Sequence, residues 1–173
     1  VSLSQNQICQ CFNEVFERGY RVRLLGGGLE PDYLPGGSEE LAVIVAREDF
    51  AASALHEAAH WCVASRRRRA LPDYGYSYSP PPRSAAGQSA FFAAEQRVQA
   101  VEWYLARRAG IEFRASGDDP DLPHKVLERF QAQLWPQVQS WESRCSLPSS
   151  LPERARTFGR ALEQLAALGT AAI

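Results

Sequence analysis

The sequence predicts an α+β fold, a helix-dominated single domain with a small sheet. Three observations lead there. Several long stretches repeat apolar residues at helical spacing between recognisable stops. Only two short apolar runs near the N-terminus read as strands. No regular strand–helix alternation and no internal repeat follows them. A chain of 173 residues is long enough for one real core, here expected over residues 1–173.

In chain order, Ser4 caps a first helix running to about Arg18, with Ile8, Cys11, Phe12, Val15 and Phe16 on one face and Gly19 as its stop. Arg21 to Leu25 reads as a short strand ended by Gly26-Gly27-Gly28. The glycines lack the Gly-x-x-x-x-Gly-Lys and Gly-x-Gly-x-x-Gly spacings of phosphate-binding loops, so they predict a plain turn. Glu30 to Gly37 reads as a loop, and Leu41 to Ala46 as a buried strand. A second helix is expected from about Phe50 to Ser65. Asp73 to Tyr78 alternates like a strand or extended loop, and Pro80-Pro81-Pro82 forces an irregular connection. Gln88 to Ala109 carries an Ala94–Val98–Val101–Leu105 stripe, with Gly110 at the stop. After the loop Ser116 to Pro120, two helices close the chain, about Pro123 to Ser143 and Pro152 to Ala167.

Composition excludes some functions. A formal net charge of −1 argues against a general nucleic-acid binder. No apolar run approaches the roughly 20 residues of a membrane span, and no signal peptide is visible at the start. Cys9 and Cys11 lack redox or zinc spacing, and Cys62 falls on the apolar side of its helix, so the four cysteines, Cys145 included, are read as reduced. A cytoplasmic monomer without membrane or direct nucleic-acid partners is expected. The basic run Arg66 to Arg69 is either a solvated helix end, favoured by the dipole, or a docking patch for an acidic partner.

The chemistry centres on His56-Glu57-Ala58-Ala59-His60. Four-residue spacing on a helix puts both imidazoles on one face, able to reach one ion. Leu55, Ala59 and Cys62 form the core stripe, so the histidines border the core. Glu57 sits about 100° around the helix from His56. A third ligand is needed. His124, beside an acidic loop, is a weak candidate. Glu95 is a better one, flanking the apolar stripe of the long helix, with Gln99 and Glu102 further along; its bland alternative is a solvated carboxylate. Two histidines and a carboxylate fit a zinc hydrolase with Glu57 as catalytic general base, and equally the Fe(II) triad of non-haem oxygenases. A di-iron site would need a second Glu-x-x-His, and Asp121 to His124, with a proline between, is a poor match.

Further stretches carry a family signal: Glu30-Pro31-Asp32-Tyr33-Leu34-Pro35; Phe50 through His60-Trp61-Cys62; Asp73-Tyr74-Gly75-Tyr76-Ser77-Tyr78-Ser79-Pro80 with Arg83; Glu95, Gln99-Ala100 and Trp103; and Pro152-Glu153-Arg154. In these the chain resembles the elongation factor P hydroxylases, departing at Ser77, where a bulkier aromatic is expected. The resemblance implies a fold like that of zinc metalloproteases, a helical metal site of His56, His60 and Glu95, Fe(II) as working metal (another divalent ion can occupy such a site), and dioxygen with elongation factor P as partners. The implied reaction is hydroxylation of the modified, beta-lysylated lysine. Glu57 then moves from general base to a supporting role. Asp73 and Glu102 are expected to offer charge to the substrate, and Tyr74, Tyr76 and Tyr78 to line its path with cation–π contacts; a half-buried strand packed on the core is the other reading of the tyrosines. The alternatives are a zinc metallopeptidase, and a non-catalytic metal-stabilised module binding an acidic partner through Arg66 to Arg69.

Overall fold

The structure, a computed structural model, describes residues 2–77, 79–143 and 150–170. The expectations for Tyr78 and Cys145 lie outside these residues. Helix α1 spans Gln5–Tyr20, and strands β1, β2 and β3 span Val22–Gly28, Asp32–Leu34 and Ala42–Arg47. Helix α2 spans Ala51–Val63; two 3-10 turns, Arg68–Ala70 and Pro72–Gly75, lead to α3 at Ala85–Ala109. Helices α4, His124–Glu142, and α5, Glu153–Thr170, complete the chain. The α+β, helix-dominated class is as read from the sequence. No helix among the described residues is long and apolar enough to cross a membrane.

Ser4 caps α1 through a reciprocal bond pair with Gln7. The helix runs past Gly19, however, and ends at Arg21, whose left-handed backbone (φ 53°) turns the chain while its N–H donates to the Glu17 carbonyl. The triple glycine is also not a turn. It lies inside β1, where pairing with β3 slips between Leu25 and Gly28 and Gly27 takes φ 85°. A side chain at Gly28 would run into Val45, so the bulge needs glycine. In the sheet β3 is central, parallel to β1 and antiparallel to β2. The three-residue β2 falls within the segment expected to be loop; it is too short to show alternation.

Helix α2 lies at the centre, packed on α1, α3, α5 and the sheet. Among the described residues one core joins these elements, with Phe12, Phe16, Trp61 and Phe158 in mutual ring contact. The orphan carbonyls at the end of α2 are met by two arginines. Arg154 Nη2 donates to Trp61 O (3.3 Å), Cys62 O (2.9 Å) and Ala64 O (2.6 Å), and Arg69 Nη1 donates to Ala64 O (2.8 Å). Both guanidiniums also sit over the Trp61 ring. The run Arg66 to Arg69 therefore follows the helix rather than forming its last turn. Arg69 caps α2, Arg68 donates to Tyr74 O and covers the Tyr76 ring, and Arg66 and Arg67 face solvent.

Candidate metal centre

The site forms where α2 crosses α3. Leu55, Ala59 and Cys62 are buried as expected, and beside them His56 and His60 face α3. From α3 comes Glu95, only 1% exposed. The Nε2 atoms of His56 and His60 are 3.1 Å apart. Glu95 Oε1 lies 3.4 Å from His60 Nε2, and Oε2 lies 3.7 Å from His56 Nε2. Among the described residues these three make the one cluster of histidine, cysteine and acidic side chains with metal-ligand spacing. Donors bonded at about 2.1 Å to one ion stand roughly 3.0 Å apart at right angles and roughly 3.4 Å at tetrahedral angles. The 3.1 and 3.4 Å spacings fall in that range and the 3.7 Å one lies just beyond it, so one ion fits with little rearrangement.

The other side of His56 is held too. Its Nδ1 bonds Glu102 Oε2 at 2.7 Å. Glu102 is itself buried on α3. A carboxylate on the far ring nitrogen fixes the tautomer and turns Nε2 toward Glu95. Burial opposes a charged His56, but Glu102, with Glu57 and Glu95, outweighs it and raises the imidazole to about 10. The same negative field that draws a proton to this ring draws a metal cation. Burial, with His56 adjacent, holds His60 well below the usual histidine range. Its Nε2 is thus kept neutral, as a ligand must be; its buried Nδ1 has no protein partner. Burial raises Glu57 to about 7, with Glu95, Glu102 and Asp73 adding to the rise against the pull of His56.

A cleft of about 620 Å³ opens on the cluster. His56, Glu57, His60, Glu95, Glu102, Asp73, Tyr74 and Tyr76 all line it. Glu30, Asp32 and Asp118 add carboxylates near Arg47 and Arg114, so acidic groups dominate the lining. Such a field suits a cationic side chain.

The segment from Asp73 is not a strand. Asp73 (φ 47°), Tyr74 (φ 56°) and Gly75 (φ 67°) are successively left-handed, reversing the chain. This places the Tyr74 ring against Tyr33 (centroids 4.1 Å apart, stacked) and nearly parallel to His60 at 5.9 Å. Tyr74 is buried, and it lines the cleft behind His60. Tyr76 is partly exposed. Its ring meets that of His60 edge-on. The Asp73 carboxylate accepts from the Tyr33 backbone N–H at 3.2 Å. His124 is on the surface, paired with Glu128, and is not among the cleft-lining residues.

Sequence reasoning missed the bond from Glu102 to His56, although His56–Glu102 and His60–Glu95 are the pairs two crossing helices would bring together. It also gave no role to Arg83. That side chain is 2% exposed, pairs with Asp118 at 2.7 Å and donates to Gly117 O, anchoring one lip of the cleft.

Two comparisons bear on this site. Residues 11–170 match the sequence profile of a family described as elongation factor P hydroxylase. A relative from Haemophilus influenzae, named elongation factor P lysine hydroxylase, is 41% identical over 157 residues, which cover 90% of this chain and 85% of that protein.

Proposed function

The chain belongs to the elongation factor P hydroxylase family, and from that premise we propose that it hydroxylates the beta-lysylated lysine of elongation factor P at a mononuclear iron site in the cytoplasm. The observation that carries this reading is the convergence of His56, His60 and Glu95 at ligand spacing beneath an acidic cleft. Fe(II), when bound, would supply dioxygen activation at coordination positions left open by a two-His-one-carboxylate set.

The protein's own groups do the rest. His56 and His60 present Nε2 from a helix whose C-terminal end is locked by Arg154 and Arg69. Glu102 holds His56 by its Nδ1. Its carboxylate is thereby committed to the ligand, so its part is positioning more than binding of substrate. Tyr74, stacked between Tyr33 and His60, limits how far the second imidazole can turn. Glu57, raised to about 7, can hold or release a proton at its carboxyl beside the ligands. Asp73 and the acids at the cleft mouth attract the cationic lysine extension, and Tyr76 gives its methylenes an aromatic wall.

The test is incubation of beta-lysylated elongation factor P with this protein, Fe(II), reductant and air, followed by mass spectrometry of the modified peptide. One added oxygen on that lysine is expected, and His56→Ala or His60→Ala should abolish it. Zinc- and Glu57-dependent peptide cleavage without oxygen incorporation would replace this reading with a peptidase.

A further inference from the structure

We propose that Gln99 is a positioning residue that locks the rotamer of Glu95 and ties it to the cleft loop around Ser116; the inference rests on the reading of Glu95 as a metal ligand. Gln99 is completely buried, one helical turn beyond Glu95 on α3. Its Oε1 accepts from Ser116 N (3.0 Å) and its Nε2 donates to Ser116 O (2.9 Å). This reciprocal pair fixes the amide, because a flip would set oxygen against oxygen and N–H against N–H. The remaining Nε2 hydrogen then has one direction left, toward Glu95 Oε2 at 3.4 Å. A donor on Oε2 restrains the carboxylate, whose Oε1 lies 3.4 Å from His60 Nε2. Glutamate at this position would lack both donor hydrogens, and leucine would leave the Ser116 backbone groups unpaired as well.

The consequence is a physical link between cleft and ligand. Ser116 and Asp118 line the cleft, and Arg83 and Gln88 hold Gly117 between them. The Gln99 amide joins that loop to the Glu95 carboxylate.

Co(II) titration of the full chain, followed by ligand-field absorption and chelator competition, tests this without catalysis. Gln99→Met keeps the side-chain volume and removes both polar groups; Gln99→Asn is a milder second variant. Gln131→Leu is the control. Gln131 Oε1 accepts from Ala115 N at 3.0 Å, so its loss loosens the same loop without touching Glu95. Gln99→Met should weaken Co(II) binding by about 10- to 100-fold and shift the cobalt spectrum. Gln99→Asn should fall between it and the parent, and Gln131→Leu should bind as the parent does. Parental affinity and spectrum in both Gln99 variants would overturn the inference, as would an equal loss in Gln131→Leu. No cobalt binding by the parent, or undiminished binding by Glu95→Ala, would instead sink the metal-site reading and take this inference with it.

Discussion

Arg154→Met should lower the melting temperature by about 3–8 °C. Ala64 O keeps a partner in Arg69, so the loss is concentrated at Cys62 O. A charged hydrogen bond contributes about 1.5–3 kcal/mol, and cations at a helix C-terminus up to about 1 kcal/mol more. Against this stands the burial of the guanidinium, which lowers its own pKa, burial being the largest cause. The 3.3 Å bond to Trp61 O shares its nitrogen with two shorter ones and adds little. Methionine still covers part of the Trp61 ring. The net cost is then about 1–3 kcal/mol. An unfolding entropy of about 2.1 cal/mol/K per residue gives roughly 0.36 kcal/mol/K for a chain of this size, hence the shift stated. Circular dichroism melts of parent, Arg154→Met and Arg154→Lys make the measurement, with the lysine variant intermediate because it keeps the charge but not the fork. A melting temperature within about 2 °C of the parent would show that water serves these carbonyls equally well.

Other consequences are as specific. Glu102→Gln should weaken metal binding by about 10- to 100-fold with little change in the folded content, read by chelator competition; unchanged affinity would mean His56 needs no carboxylate behind it. Gly159→Ala should lower the melting temperature, although alanine in a helix is ordinarily favoured by about 1 kcal/mol, because the new Cβ would lie 2.7 Å from the buried Tyr104 ring; a rise would show that the ring moves aside freely. Burial raises Cys9 to about 11 and Cys62 to about 12, and burial with Glu14 nearby raises Cys11 to about 11. Iodoacetamide at pH 8 should therefore leave all three unmodified in the native protein and label them in denaturant, as peptide mass spectrometry would reveal.

The sequence made the two site helices legible for different reasons. The His56–His60 spacing carries its own meaning. Glu95 was reachable because it flanks the stripe Val98–Val101–Leu105, all buried. Glu95, Gln99 and Glu102 follow at i, i+4 and i+7, a core spacing occupied by polar side chains. That pattern signals a buried polar seam, but only the crossing with α2 shows what each member meets. The strand alternative for the segment from Asp73 misled because alternating tyrosines mimic a strand, whereas the three successive left-handed residues Asp73, Tyr74 and Gly75 are invisible to periodicity. The glycine bulge in β1 was unreadable for a similar reason: its cause is Val45 on the neighbouring strand, distant in sequence.

The bond from Asp73 to the Tyr33 amide has a further meaning for access. β2 is the sheet edge beside the cleft, and the Tyr33 N–H is a backbone donor it turns away from β3. An extended peptide docking by strand addition would need that donor. Here a carboxylate has already taken it, so a visiting main chain gains no ladder at this rim. A guest that projects one long side chain over the rim needs no ladder. The occupied Tyr33 donor therefore favours entry by a side chain over docking by strand addition at this edge.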